Sequence, residues 1–72
     1  MITGPCLFRV EVQRWNVSYD KLKAEMFYED TEQSARQQAA KHADRPRVDH
    51  CIIFHRDTGE SPWREIARIE GH

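Results

Sequence analysis

His50, Cys51 and His55 bring an imidazole, a thiol and a second imidazole within six residues. That is a set able to ligate zinc or to pair a thiolate with a base, with Cys6 or His42 available to complete it. The backbone that must carry them argues against both uses. A strand sends successive side chains to opposite faces, so His50 points away from Cys51 and His55, and the three do not converge without a bend. Cys51 and His55 share a face but lie about 13 Å apart along an extended chain, too far for proton transfer. The simpler reading is a cysteine packed as a small apolar group between histidines at a sheet surface. No catalytic residue, metal ligand, cofactor or small-molecule substrate is expected, and the chain reads as a non-enzyme.

Two charged patches and one aromatic offer binding chemistry instead. Arg9, Arg14, Lys21 and Lys23 fall among Trp15, Tyr19, Phe27 and Tyr28, the cation and ring combination that single-stranded nucleic acid binders use. Glu11, Asp20 and Glu25 interrupt that surface, and the aromatic-basic submotif of an RNA-recognition sheet is absent. Glu25, Glu29, Asp30 and Glu32 form an acidic run, followed by Arg36, Lys41, Arg45 and Arg47 with only Asp44 opposed. The molecule is therefore expected to be electrically two-sided. Acids at a helix start and bases near its end also satisfy the helix macrodipole without any partner. Phe27 falls on the parity opposite to Leu22, Ala24, Met26 and Tyr28. If those four face the helix, Phe27 stands exposed between Lys23, Glu25 and Glu29 as an interface anchor; the competing reading shields it beneath the N-terminal segment or Trp15.

The elements that position these residues are short. Gly4-Pro5 leads into a first strand, about Cys6 to Trp15, with Phe8, Val10 and Val12 on one face. Parity breaks at Trp15, Val17 and Tyr19, which implies a bulge or turn around Asn16-Val17-Ser18. A second strand covers about Asp20 to Tyr28. Asp30-Thr31-Glu32-Gln33 is a helix start, Ala35, Ala39 and Ala43 recur at spacing four, and Asp44-Arg45-Pro46 ends the helix. Val48 to His55 is apolar on both faces near its middle and reads as a central strand. Asp57-Thr58-Gly59-Glu60 has hairpin length, with glycine placed for a positive φ. Residues 62–70 read as a fourth strand from Trp63 to Glu70, with a helix started by Ser61-Pro62 as the competing reading. The expectation is one α+β domain over residues 1–72, a small antiparallel sheet in ββαββ order with one helix packed on one face and a last element that is strand or helix.

Size and charge set the remaining bounds. Seventy-two residues with 11 basic and 12 acidic side chains, net charge −1, allow one thin two-layer core and carry no overall nucleic-acid signature. No stretch suits a membrane span. Cys6 and Cys51 are close enough in this topology to pair, but Met1-Ile2-Thr3-Gly4-Pro5 lacks the marks of a signal peptide, so a reduced, intracellular state is expected.

The segments FRVEVQRW, KLKAEMFYEDTEQSARQQAAKHA and CIIFHRDTGESPWREIARIE, taken together, make a sheet-helix-hairpin chain that resembles small phage- and mobile-element-encoded proteins. In particular it resembles the compact α+β anti-CRISPR proteins that block type I systems. The likeness is one of size, element order and composition over nearly the whole chain. It implies non-catalytic inhibition in the bacterial cytoplasm, by binding a Cas subunit of the surveillance complex, or another host defence protein, and blocking access to target DNA. It further implies that Glu25, Glu29, Asp30 and Glu32 stand in for phosphates before a basic Cas surface; the parity reading adds Phe27 to the expected partner-binding residues. The alternative is a small nucleic-acid-binding accessory protein using Arg9, Arg14, Lys21 and Lys23.

Overall fold

Alternating apolar residues in the first half of the chain meet an alanine-spaced helix, and the two close into an α+β sandwich of one sheet and one helix. The structure, a computed structural model, describes residues 6–71; Gly4-Pro5, read as the lead into the first strand, lies outside the described residues. The elements are β1 (Phe8–Asn16), β2 (Lys21–Glu29), α1 (Glu32–Ala43), β3 (Val48–His55) and β4 (Arg64–Glu70). The four strands form one sheet in the order β2-β1-β3-β4, with every neighbouring pair antiparallel.

Local chemistry explains the junctions. Asn16 Oδ1 accepts a hydrogen bond from the Tyr19 amide at 3.2 Å, and Asp20 takes a left-handed φ of 53°, which a short polar residue tolerates. Thr31 caps α1, its hydroxyl accepting from the Ser34 amide at 3.1 Å. Beyond α1, Arg47 turns the chain at φ 69°, and its carbonyl receives the Trp15 amide at 2.7 Å. At the far end Gly71 donates its amide to the Asp49 carbonyl at 2.9 Å. A Cβ there would lie 2.0 Å from the Val48 carbonyl oxygen, so only glycine permits the approach.

The core lies between sheet and helix. Val10 and Val12 of β1, Val48, Cys51 and Ile53 of β3, and Ala35, Ala39 and Ala43 of α1 are buried together. Phe8, Phe27, Ala67 and Ile69 pack around them. The small alanines let α1 lie close over β1 and β3. Cys6 and Cys51 are both free thiols.

Three expectations are corrected. The last element is not a helix in any part: residues 64–70 pair with β3 from His55↔Arg64 to His50↔Glu70. Ala67 and Ile69 complete the core from that strand, which overturns the helical alternative for residues 62–70. The connection before it is no tight hairpin turn with a positive-φ glycine, since no described glycine has a positive φ. A longer loop is held instead by Arg56, which donates to the Gly59 carbonyl and twice to the Cys6 carbonyl.

The third correction concerns β2. Register with β1 sets Val10 opposite Phe27 and Val12 opposite Glu25, so the odd residues of β2 face the helix. Leu22, Ala24, Met26 and Tyr28, expected beneath the helix, lie on the opposite face. Parity is dictated by the buried valines of β1, because paired residues share a face. Edge strand β2 barely meets α1, so its own apolar period does not decide which side is buried.

Candidate functional site

Because α1 covers one side of the sheet, the other side is uncovered by any described helix or strand, and there the apolar side chains of β2 lie beside Arg9, Glu11 and Gln13 of β1. Trp15 lies opposite Leu22 in register, Gln13 opposite Ala24, Glu11 opposite Met26 and Arg9 opposite Tyr28. Trp15 and Leu22 are each 41% exposed, Met26 47% and Tyr28 53%. With Ala24 between Leu22 and Met26, and Trp15 beside Leu22, they line the open face of β2 as a stripe from the turn to its far end. The alternation that sequence reading assigned to the core therefore builds the surface.

At the Tyr28 end the stripe meets a stack of rings and guanidinium groups. The Arg9 guanidinium carbon lies 4.5 Å from the Phe54 ring centre and 4.9 Å from that of Trp63. On Trp63 the Arg56 guanidinium sits at 4.3 Å, and the Tyr28 ring lies 6.2 Å away, tilted by 48°. Arg56 is occupied by carbonyls, whereas Arg9 makes no ion pair among the described residues, and its Nε is buried without an acceptor. Arg9 is thus held rigid between two rings. Aromatic, methionine and arginine side chains on one face are the residue types enriched at protein interface centres.

The residues singled out from sequence do not gather there. Phe27, expected to be exposed, faces the helix and stacks on His42 with ring centres 4.6 Å apart and planes at 23°; it is a core ring, not an anchor. Glu25 pairs with Arg14 at 3.4 Å and Glu32 with Arg36 at 2.7 Å. Asp30 accepts from the Cys6 thiol at 3.3 Å. That hydrogen bond, with burial and the nearby Asp30 and Glu29 charges, pushes the Cys6 thiol above its ordinary range. Glu29, Asp30 and Glu32 stay near one another at the β2–α1 junction, but Glu25 lies about 13 Å from Glu29 along the strand.

The basic set is divided as well. Arg14 and Lys23 face the helix side and line a cleft of about 300 Å³ with Glu25, Arg47 and residues 15–18. Arg9 is on the other face. Lys21 lies at the turn, 5.9 Å from the Tyr19 ring.

The histidines and cysteines have structural neighbours. His50 Nδ1 is 2.7 Å from Asp49 Oδ2, His55 lies against the Phe8 ring at 4.7 Å, and burial raises the Cys51 thiol. His42 is 8% exposed. Burial, followed by the charges of Arg45, Lys41 and Arg14, lowers its pKa, while Glu25 acts weakly in the other direction. Among the described residues no three His, Cys, Asp or Glu side chains are grouped to hold a metal, and no helix is long and apolar enough to cross a membrane.

No protein-family model matches the chain, and no curated protein and no solved structure matches it. Sequence reading missed Phe54, Trp63 and Arg56 as surface groups. Phe54 shares the parity of Ile52, which faces away from the helix, and that signal was present. Trp63 precedes β4, where periodicity says nothing.

Proposed function

We propose that this chain is a non-catalytic binding domain that engages a protein partner through the helix-free face of its sheet. The observation that carries the reading is the exposed stripe Trp15, Leu22, Met26 and Tyr28 ending at the ring-clamped Arg9. Contiguous apolar surface of this kind costs solubility in a monomer unless something covers it. Rigid rings and a pre-positioned guanidinium lose little freedom on binding. For the partner, the resemblance to type I anti-CRISPR proteins makes a Cas subunit of a surveillance complex in the bacterial cytoplasm the target class. The route is steric cover of that subunit rather than phosphate mimicry, because Glu25 and Glu32 are already paired with arginines and Asp30 is engaged by Cys6.

The test is affinity capture of the tagged chain from bacterial lysate containing an active type I system, with and without nuclease. A Leu22→Glu/Met26→Glu variant and a Glu29→Lys/Glu32→Lys variant are run in parallel. A nuclease-resistant Cas subunit, recovered near stoichiometry and lost only with the Leu22→Glu/Met26→Glu change, supports the proposal. Loss only with the Glu29→Lys/Glu32→Lys change moves the site to the β2–α1 junction. Recovery limited to ribonucleoproteins that vanish with nuclease overturns it in favour of nucleic-acid binding. The cleft lined by Arg14, Lys23 and Arg47 is then the site to test, by Arg14→Glu/Lys23→Glu and the salt dependence of binding.

A further inference from the structure

β2 is an edge strand that is bonded on one side only, to β1. It runs nine residues, Lys21–Glu29, with no proline and no register slip against its neighbour. The other edge, β4, has seven residues and its pairing with β3 slips between Ile53 and Phe54. An unbroken edge of this length is a template for another strand.

We propose that the strand it accepts is β2 of a second copy of this chain, antiparallel about a two-fold axis at Glu25. A two-fold perpendicular to the sheet keeps both helices on one side, so helix-facing residues meet helix-facing residues. Full pairing of a strand spanning 21–29 puts its midpoint, Glu25, on the axis. Lys21 then lies opposite Glu29 of the second copy, Leu22 opposite Tyr28, Lys23 opposite Phe27 and Ala24 opposite Met26. By symmetry each pair occurs twice.

The sequence KLKAEMFYE is thus self-complementary when reversed: opposite charges at both ends, a cation beside a ring, and apolar pairs on the open face. Only Glu25 meets its own kind, and each Glu25 carries Arg14 at 3.4 Å to offset the repulsion. Applied to β4, the same construction matches Arg64 with Glu70 at the ends but sets Glu65 against Ile69 and Ile66 against Arg68, so the complementarity fails inside the strand. Lysines on an edge normally repel any incoming strand. In this register they select one, because each finds a carboxylate or a ring. The pairing also lays Leu22 of each copy between its own Trp15 and the Tyr28 of the other copy, joining the two exposed stripes across an eight-stranded sheet. The inference does not depend on the partner proposed above.

The test is sedimentation equilibrium of the full chain over a wide concentration range, with circular dichroism to check the fold of each variant. Lys21→Glu and Glu29→Lys remove no ion pair among the described residues. Each is expected to weaken the wild-type dimer at least about tenfold, since two symmetric pairs turn from attractive to repulsive. An equimolar mixture of the two single variants is expected to recover dimer, because both end pairs become attractive in the heterodimer. The Lys21→Glu/Glu29→Lys double variant is expected to recover it alone, which keeps the test decisive if one single variant fails to fold. A wild-type chain that stays monomeric throughout, or a dimer indifferent to these charges, overturns the proposal.

Discussion

Replacing Phe27 and Met26 separately by alanine reads the sheet's orientation directly, because the two are neighbours on β2 that face opposite sides. Phe27 packs against the core and stacks on His42 at 4.6 Å. A fully buried phenylalanine costs about 3–5 kcal/mol when cut to alanine, and this partly buried ring should cost about 2 kcal/mol. Met26 is 47% exposed on the uncovered face, so its truncation should cost about 0.5 kcal/mol. A domain of this size has on the order of 4–11 kcal/mol to lose. At roughly 4–8 °C per kcal/mol for so small a domain, Phe27→Ala lowers Tm by about 8–16 °C and Met26→Ala by no more than about 4 °C. Urea and thermal unfolding followed by circular dichroism measure both. Phe27→Ala also opens His42 to water, so the depressed His42 pKa should move back towards the ordinary histidine range, read by NMR titration. A Met26→Ala variant less stable than Phe27→Ala, with His42 unmoved, would refute the face assignment and the binding surface derived from it.

The buried His42 also sets a pH dependence. Its folded pKa is lowered, chiefly by burial, so the unfolded chain binds the proton more readily. Stability is full above the unfolded value of about 6.5 and falls as pH drops below it, until the folded pKa is reached; thermal melts between pH 7.5 and 5 should show the loss, and His42→Gln should flatten it. Asp30→Ala removes both the acceptor that holds the Cys6 proton and its negative charge, so alkylation of Cys6 at pH 8 should quicken, while Cys51, fully buried, should react only on unfolding; mass-resolved iodoacetamide labelling separates the two. Thr31→Ala deletes the cap on Ser34 and should cost about 1 kcal/mol in urea titrations. Arg9→Ala should change Trp63 emission with little effect on melting and weaken capture of the proposed partner, the three readouts separating a binding anchor from a structural arginine.

The legible parts of this fold are those in which local and tertiary signals agree. The Thr31 cap and the Ala35, Ala39, Ala43 spacing give α1 almost residue for residue, and β3 announces its central place by being apolar on both faces at Cys51, Ile52 and Ile53. The sheet's orientation on β2 was misread because its alternation is stronger on the exposed side. Leu22, Met26 and Tyr28 outweigh a buried-side set of Lys23, Glu25, Phe27 and Glu29, and only pairing with Val10 and Val12 decides between them. That misreading carried Phe27 into the candidate site and left the real surface stripe in the expected core. The acidic and basic sets failed for a related reason. Charges grouped along the chain were assigned to shared surfaces, whereas strand parity and ion pairs with Arg14 and Arg36 separate them.

The same geometry explains why the proposed binding surface is a sheet face. A helix of 12 residues is about 18 Å long and about 10 Å across with its side chains. Four strands spaced about 4.8 Å apart are wider than that, so α1 covers mainly β1 and β3, meets β2 chiefly through the Phe27–His42 stack, and leaves the whole opposite face to other means. Among the described residues no second helix covers that face, and a deep pocket would take Val10, Val12 or Ile53 from a core with few members. What it can present is a flat, rigid face whose residues are fixed by strands rather than loops. The Trp15–Leu22–Met26–Tyr28 stripe, the clamped Arg9 and the self-complementary edge of β2 are three consequences of that one uncovered layer. Such a face suits a partner large enough to lie across a sheet, the class of partner proposed above, and offers a small molecule nothing to enclose it.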